Sequence, residues 1–231
     1  MARLARLAVA GQLHLVSLHA HGQLPVFRDA ADRQAWIDWM ADYAREEQVS
    51  VHAYVLLDRW VGLLATPAQA QGIPRWMQAV GRRYGRYFND RHQQRGTLWD
   101  GRYRCTVVDA ENLALTVMVF LDLASVREGL AIRSDQYPWC SHLHYAGHRQ
   151  DRFLTPLTAY WSLGNTPFAR EAAYASLVHA GLDQALVTRI QDAADKAWVL
   201  GESPFVEQLQ AKVPRRVTKG RPGRPRKPGT A

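Results

Sequence analysis

Cysteine is scarce in this chain of 231 residues: only Cys105 and Cys140 occur, in neither a metal-ligand spacing nor a disulfide framework. A thiolate zinc site and a disulfide-stapled secreted fold are therefore not indicated, and a reducing cytoplasm fits. Long apolar runs are missing too. The longest, Leu113 to Leu121, is far short of the roughly 20 residues that span a bilayer and is closed by Asp122. At the N-terminus, Arg6 breaks the apolar stretch of "MARLARLAVAGQLHLV" and Gly11-Gln12 ends it, against both a signal peptide and an anchor. No internal repeat is found. The expectation is a cytoplasmic protein with no membrane partner.

An acidic excess is also lacking, and the basic excess is confined to one end. The chain carries 29 Lys and Arg against 21 Asp and Glu, a net charge of +8. Eight of the basic residues lie from Lys212 onward with no acid among them, so the remaining 21 balance the acids. The tail "VPRRVTKGRPGRPRKPGTA" is rich in Pro, Gly, Arg and Lys, which predicts a disordered basic arm over 213–231 suited to phosphate contacts. Its Gly223-Arg224-Pro225 core resembles an AT-hook, with Arg221, Arg224 and Arg226 as DNA contacts. A solubilising tail without sequence preference has the same composition.

The chain as a whole is 47% hydrophobic, enough to bury a core. "QLHLVSLH" reads as a strand and Asp29 to Gln48 as a helix, with Trp36, Met40 and Tyr43 on one face. "VSVHAYVLL" and "VGLLAT" read as two strands, and a helix opens at Gly72-Ile73-Pro74 and runs to about His92. "RYRCTVVDA" is a strand and Glu111 to Leu130 a third long helix. The order β-α-β-β-α-β-α predicts an α+β fold, a ferredoxin-like antiparallel sheet packed with helices. From 149 to 212 the period is helical with breaks at Gly181 and Gly201, which predicts a helical extension to a domain over 1–148.

Between Arg82 and Arg104 lie seven arginines against two acids, interleaved with Tyr84, Tyr87, Phe88, Trp99 and Tyr103. Guanidinium groups hold phosphates while aromatic faces stack on unpaired bases, so the mixture suits single-stranded or hairpin DNA. The expected phosphate contacts are Arg82, Arg83, Arg86, Arg102 and Arg104, with Tyr84, Tyr87 and Tyr103 stacking or lining a groove. A solvated helix face beside a core of Val80, Tyr84 and Phe88 would read the same way.

The blocks "QAVGRRYGRYFNDRHQQRGTLWDGRYRCTVVDAENL", "VREGL" and "SDQYPWCSH" resemble, in order and spacing, the REP-associated tyrosine transposases of the one-tyrosine HUH transposase superfamily. The terminal "GRPGRPRK" is similar to the ending of one subgroup. The resemblance covers nearly the whole chain. It implies a bacterial, nucleoid-associated nuclease with an HUH-type domain that binds single-stranded or hairpin DNA from repetitive extragenic palindromes, and whose relatives occur as monomers and as homodimers. In active members a His-hydrophobe-His pair and a polar helical side chain hold Mg²⁺ or Mn²⁺ on the scissile phosphate, and a helical tyrosine attacks the phosphorus.

Carried over by position, those roles find no chemistry here. The family strand reads approximately "HAYVLMPNHVHLL" and this chain "HAYVLLDRWVGLL", which puts Trp60 and Gly62 at the two histidine positions. Indole has no lone pair free for a metal and glycine has no side chain. The family helix reads roughly "RYIxLNPVRAGL" and this chain "VFLDLASVREGL", with Phe120 at the nucleophile and Ala124 one turn on, at the asparagine. The resemblance thus implies a pseudoenzyme: a DNA-binding transposase fold without strand cleavage and without a catalytic metal. Two alternatives remain at this stage. Catalysis could have moved to a metal on His19 and His21, near His14 and His52 on strands read as neighbours, with Tyr84 or Tyr87 as nucleophile. Alternatively, the fold could serve protein interaction through Trp60.

Overall fold

The computed structural model describes residues 6–218. The chain runs β1 (Leu13–His19), α1 (Ala30–Glu46), β2 (Val49–Leu57), β3 (Trp60–Pro67), α2 (Gly72–His92), β4 (Arg104–Val108) and α3 (Ala110–Asp122). A short α4 (Ala124–Arg127) and α5 (His142–Tyr145) follow, then α6 (Thr158–Trp161), α7 (Pro167–Ala180), α8 (Gln184–Lys196) and α9 (Ser203–Lys212). Among the described residues the strands form one antiparallel sheet in the order β2-β3-β1-β4, the expected α+β architecture. The basic arm's Arg221, Arg224 and Arg226 lie outside the described residues.

Local chemistry explains why the elements start where they do. Asp29 caps α1, its carboxylate accepting from Asp32 N at 3.0 Å, and Trp36 and Met40, four residues apart, are fully buried. In α2 the buried Ile73, Trp76, Val80, Tyr84 and Phe88 recur at three- and four-residue spacing. Asp109 caps α3 by accepting from Asn112 N. The helix expected over 111–130 breaks for one residue at Leu123, where the Asp122 carbonyl accepts the Ser134 hydroxyl at 2.8 Å, and it ends at Arg127, two residues before Gly129 in the left-handed region.

The helices fall on two faces. Directly opposed residues of antiparallel strands point the same way, so the pairs His19–Trp60 and Ser17–Gly62 share one face of the central strands. A β-carbon on Gly62 would meet Leu121 of α3, which places α3 over that face. Tyr54, paired with Leu63 and so facing the other way, lies beside Gln34, Ile37 and Ala41 of α1, with α2 packed against α1. His14 and His52 are not on neighbouring strands: β3 runs between β1 and β2. That correction follows from the crossover, which the linear order of strands does not display.

The helices beyond residue 149 pack onto this same body. Tyr174 of α7 joins Tyr145 and Tyr160 with ring centroids 5.4 and 5.8 Å away, and its hydroxyl donates to the buried Asp122 carboxylate at 2.7 Å. Ser141 donates to the other Asp122 oxygen at 2.8 Å. α8 is held to β4 by the Thr106 hydroxyl, which donates to Ala193 O at 3.0 Å. Leu200 bridges the outer edge of β4, its N donating to Val107 O at 2.9 Å and its carbonyl accepting from Asp109 N at 2.8 Å. That edge is thereby covered. Both cysteines are free and buried, and burial pushes the Cys105 thiol up to about 12. Among the described residues no helix is long and apolar enough to cross a membrane.

Candidate functional site

A cleft of about 720 Å³ opens on the α3 face of β1 and β3. Ser17 and His19 line it from β1, Trp60 from β3, Phe120 from α3 and Ala124 and Arg127 from α4, while α8 closes one wall with Asp192 and Asp195. Three of the four positions singled out by the family resemblance therefore meet in one place. The fourth, Gly62, lies directly beneath the Trp60 ring: its missing β-carbon would fall 2.6 Å from Trp60 Cη2 and 2.6 Å from Leu121 Cδ2. Trp60 meets Phe120 edge to face with centroids 6.5 Å apart.

Arg127 lies with its Cζ 4.2 Å from the centre of the Phe120 ring and donates from Nη2 to Phe120 O at 2.6 Å. Burial lowers its pKa to about 10, and its Nη1 has no hydrogen-bond partner among the described residues. His19 faces Trp60 at 6.4 Å, with its Nε2 3.0 Å from Arg104 Nη1. Burial first and the Arg104 charge second hold the imidazole below its ordinary pKa. Arg104 in turn pairs with Asp195 at 2.6 Å across 91 residues of sequence. The role of α8 carried no signal in the linear sequence, whereas Arg127 sits inside the "VREGL" block.

These residues do not fit a divalent cation. Trp60 and Gly62 offer no ligand atom, and three of the four carboxylates of the cleft are engaged, Asp58 with Arg33, Asp192 with Lys196 and Asp195 with Arg104, which leaves Glu128 as a single carboxylate. His19 is half-buried with its Nε2 against Arg104 Nη1, and His21 is exposed beyond the end of β1. Among the described residues no three His, Cys, Asp or Glu side chains gather in a way that could hold a metal.

The arginine and aromatic patch is divided by the fold. Arg82, Arg83 and Arg86 are exposed on α2, in the α1/α2 layer, while Arg104 sits on the cleft face and Arg102 is exposed two residues before β4. Arg83 covers Trp39, its Cζ 5.2 Å from the ring centre. Tyr84 corrects the sequence reading: it is fully buried, donates its hydroxyl to Val26 O and packs edge to face on Trp36 at 5.1 Å, so it neither stacks on DNA nor attacks it. A helix places every third or fourth residue inward, and Tyr84 falls on that stripe between Val80 and Phe88. Tyr87 is half-buried against Trp39, on the layer away from His19 and His21, so a relocated site of those residues is not assembled. Tyr103 is also nearly buried, with Arg6 stacked 4.1 Å from its ring centre; burial raises its phenol to about 12.

No family model matches the chain, and no curated protein matches it. Among solved structures it is similar to a REP-associated tyrosine transposase bound to a REP hairpin, at 12% identity over 69% of this chain and 96% of that one, with a TM-score of 0.52. It also matches a candidate transposase from Deinococcus radiodurans R1 at 18% identity over 50% of this chain and 93% of that one, with a TM-score of 0.36, too low to argue from. The first likeness shows that the two chains share the α+β fold.

Proposed function

We propose that this is a transposase-family protein that binds single-stranded or hairpin DNA and does not cut it. The observation that carries the reading is the cleft, in which Trp60, Phe120 and Ala124 meet over Gly62. Under the family resemblance these four positions would supply two metal ligands, a nucleophile and its polar neighbour. Here the side chains that meet are an indole, a phenyl and a methyl group, and none can ligate a cation or attack phosphorus. A shared fold with a hairpin-bound transposase supports DNA as the partner. So do Arg82, Arg86 and Arg102, which are exposed and have no ion-pair partner among the described residues. Protein interaction through the cleft is the second reading, favoured by the apolar Trp60 and Phe120 walls.

The test is one assay on labelled hairpin DNA with Mg²⁺ or Mn²⁺, read on a native gel for retardation and on a denaturing gel for covalent attachment. Retardation with neither adduct nor cut strand is the expected result. A denaturant-resistant adduct overturns the loss of chemistry, and the absence of retardation overturns DNA binding.

A further inference from the structure

We propose that the cleft receives an unpaired nucleobase, stacked on the Trp60 indole; the inference rests on the DNA-binding reading above and names the part of the DNA that this cleft takes. Trp60 is anchored on one side by its contact with Gly62, and its ring neighbours lie at 84° and 51° to it. No aromatic ring is therefore stacked parallel on the indole, whereas Phe120 already has Arg127 over it. An aromatic face beside a cleft of about 720 Å³ falls in the size range of small-molecule sites and accommodates a nucleoside.

The charge of the lining decides between base and phosphate. Asp58, Glu128, Asp192 and Asp195 line the cleft with Arg59 and Arg127, and Arg33, Lys196 and Arg104 pair with Asp58, Asp192 and Asp195 from outside the lining, so the wall is close to charge balance. A wall with little surplus positive charge gives a phosphate little, and it suits a neutral ring whose exocyclic amines donate to the remaining lone pairs of these carboxylates. Arg127 Nη1, a donor in the wall with no acceptor among the described residues, would gain one from a base carbonyl. Base stacking on an aromatic side chain tolerates every base, so the site would select an unpaired nucleotide by its position in a hairpin or flank rather than by sequence.

The experiment is a binding titration on hairpin DNA with single-stranded flanks, with one abasic site moved through every loop and flank position. The full chain is compared with Trp60→Ala and Trp60→Phe at one salt concentration. For the unmodified chain, one or two abasic positions should weaken binding by about 5- to 150-fold, the range of a single stacked base. In Trp60→Ala those same positions should make no further difference, while Trp60→Phe should keep most of the dependence. Losses from Trp60→Ala that multiply with those from the abasic sites overturn the proposal, since a merely structural Trp60 acts equally on every DNA. Equal binding by the unmodified chain to all abasic DNAs also overturns it while leaving DNA binding intact. Failure to bind any hairpin removes the reading it rests on.

Discussion

The Trp60 indole occupies the space that a side chain at Gly62 would need, with Cη2 2.6 Å from the position of a β-carbon. The glycine is required by volume rather than by backbone conformation, since Gly62 is not among the residues with positive φ. Gly62→Ala should therefore lower stability by roughly 1–3 kcal/mol, the usual cost of overpacking a filled site. In a Trp60→Ala background the cost should shrink, with a coupling of about 0.5–3 kcal/mol, although Leu121 remains close. Denaturant melts of the four proteins measure it; the same cost in both backgrounds would show that the two residues are independent.

Arg82 and Arg86 are exposed on α2. If they hold phosphates, replacing both with Ala should weaken DNA binding uniformly across sequences and reduce the slope of log affinity against log salt by about one per arginine. An unchanged salt slope would assign them to the solvated surface instead.

Tyr84→Phe provides the contrast. Its hydroxyl serves the buried Val26 carbonyl, so its loss should cost about 0.5–3 kcal/mol of stability, more than a typical net hydrogen bond if the carbonyl finds no other donor. DNA affinity should stay the same in the folded protein. A loss of binding without a loss of stability would return Tyr84 to the interface.

Acid should destabilise the fold through His14. Val9 N donates to His14 Nε2 at 3.1 Å, so the proton resides on Nδ1, which donates to Gln12 O at 2.7 Å. Burial lowers its pKa from 6.5 to about 4. The unfolded chain takes up the proton near pH 6.5 and the folded chain only near 4, so stability is fully present above 6.5 and falls as pH drops through that window, by roughly 3 kcal/mol in total. His52, held between Thr155 O at 2.7 Å and Thr66 Oγ1 at 2.9 Å, is lowered in the same direction by burial. Thermal melts from pH 7.5 to 4 measure the loss, and His14→Gln should flatten part of it. A flat profile in the unmodified chain would contradict the buried neutral imidazole.

Asp122 ties the later helices to the sheet domain. It is fully buried and takes hydrogen bonds from Tyr174 and Ser141. Tyr174→Phe leaves one carboxylate oxygen without its donor and should cost about 1–3 kcal/mol, seen as a lower melting temperature in a single transition. Two separate transitions in the unmodified chain would mean that the later helices fold apart from the sheet.

Much of this molecule is legible in order. The strands and helices follow from period, because the alternation of strands and the three- to four-residue stripe of helices are local consequences of backbone geometry. α2 spans Gly72–His92 and β2 Val49–Leu57, as their patterns indicate. The Leu123 break escapes such a reading, because the hydroxyl that interrupts the helix belongs to Ser134.

By itself, the sequence determined which side chains are present at Trp60, Gly62, Phe120 and Ala124, and so which chemistry is missing there. Tertiary structure alone decided that Trp60 fills the space above Gly62 and that α8 brings Asp195 to Arg104. Composition fixes what a side chain can donate, accept or attack wherever it lies. Its neighbours depend on sheet register and helix packing, and those join residues such as His52 and Thr155, 103 positions apart, through contacts that no local pattern encodes.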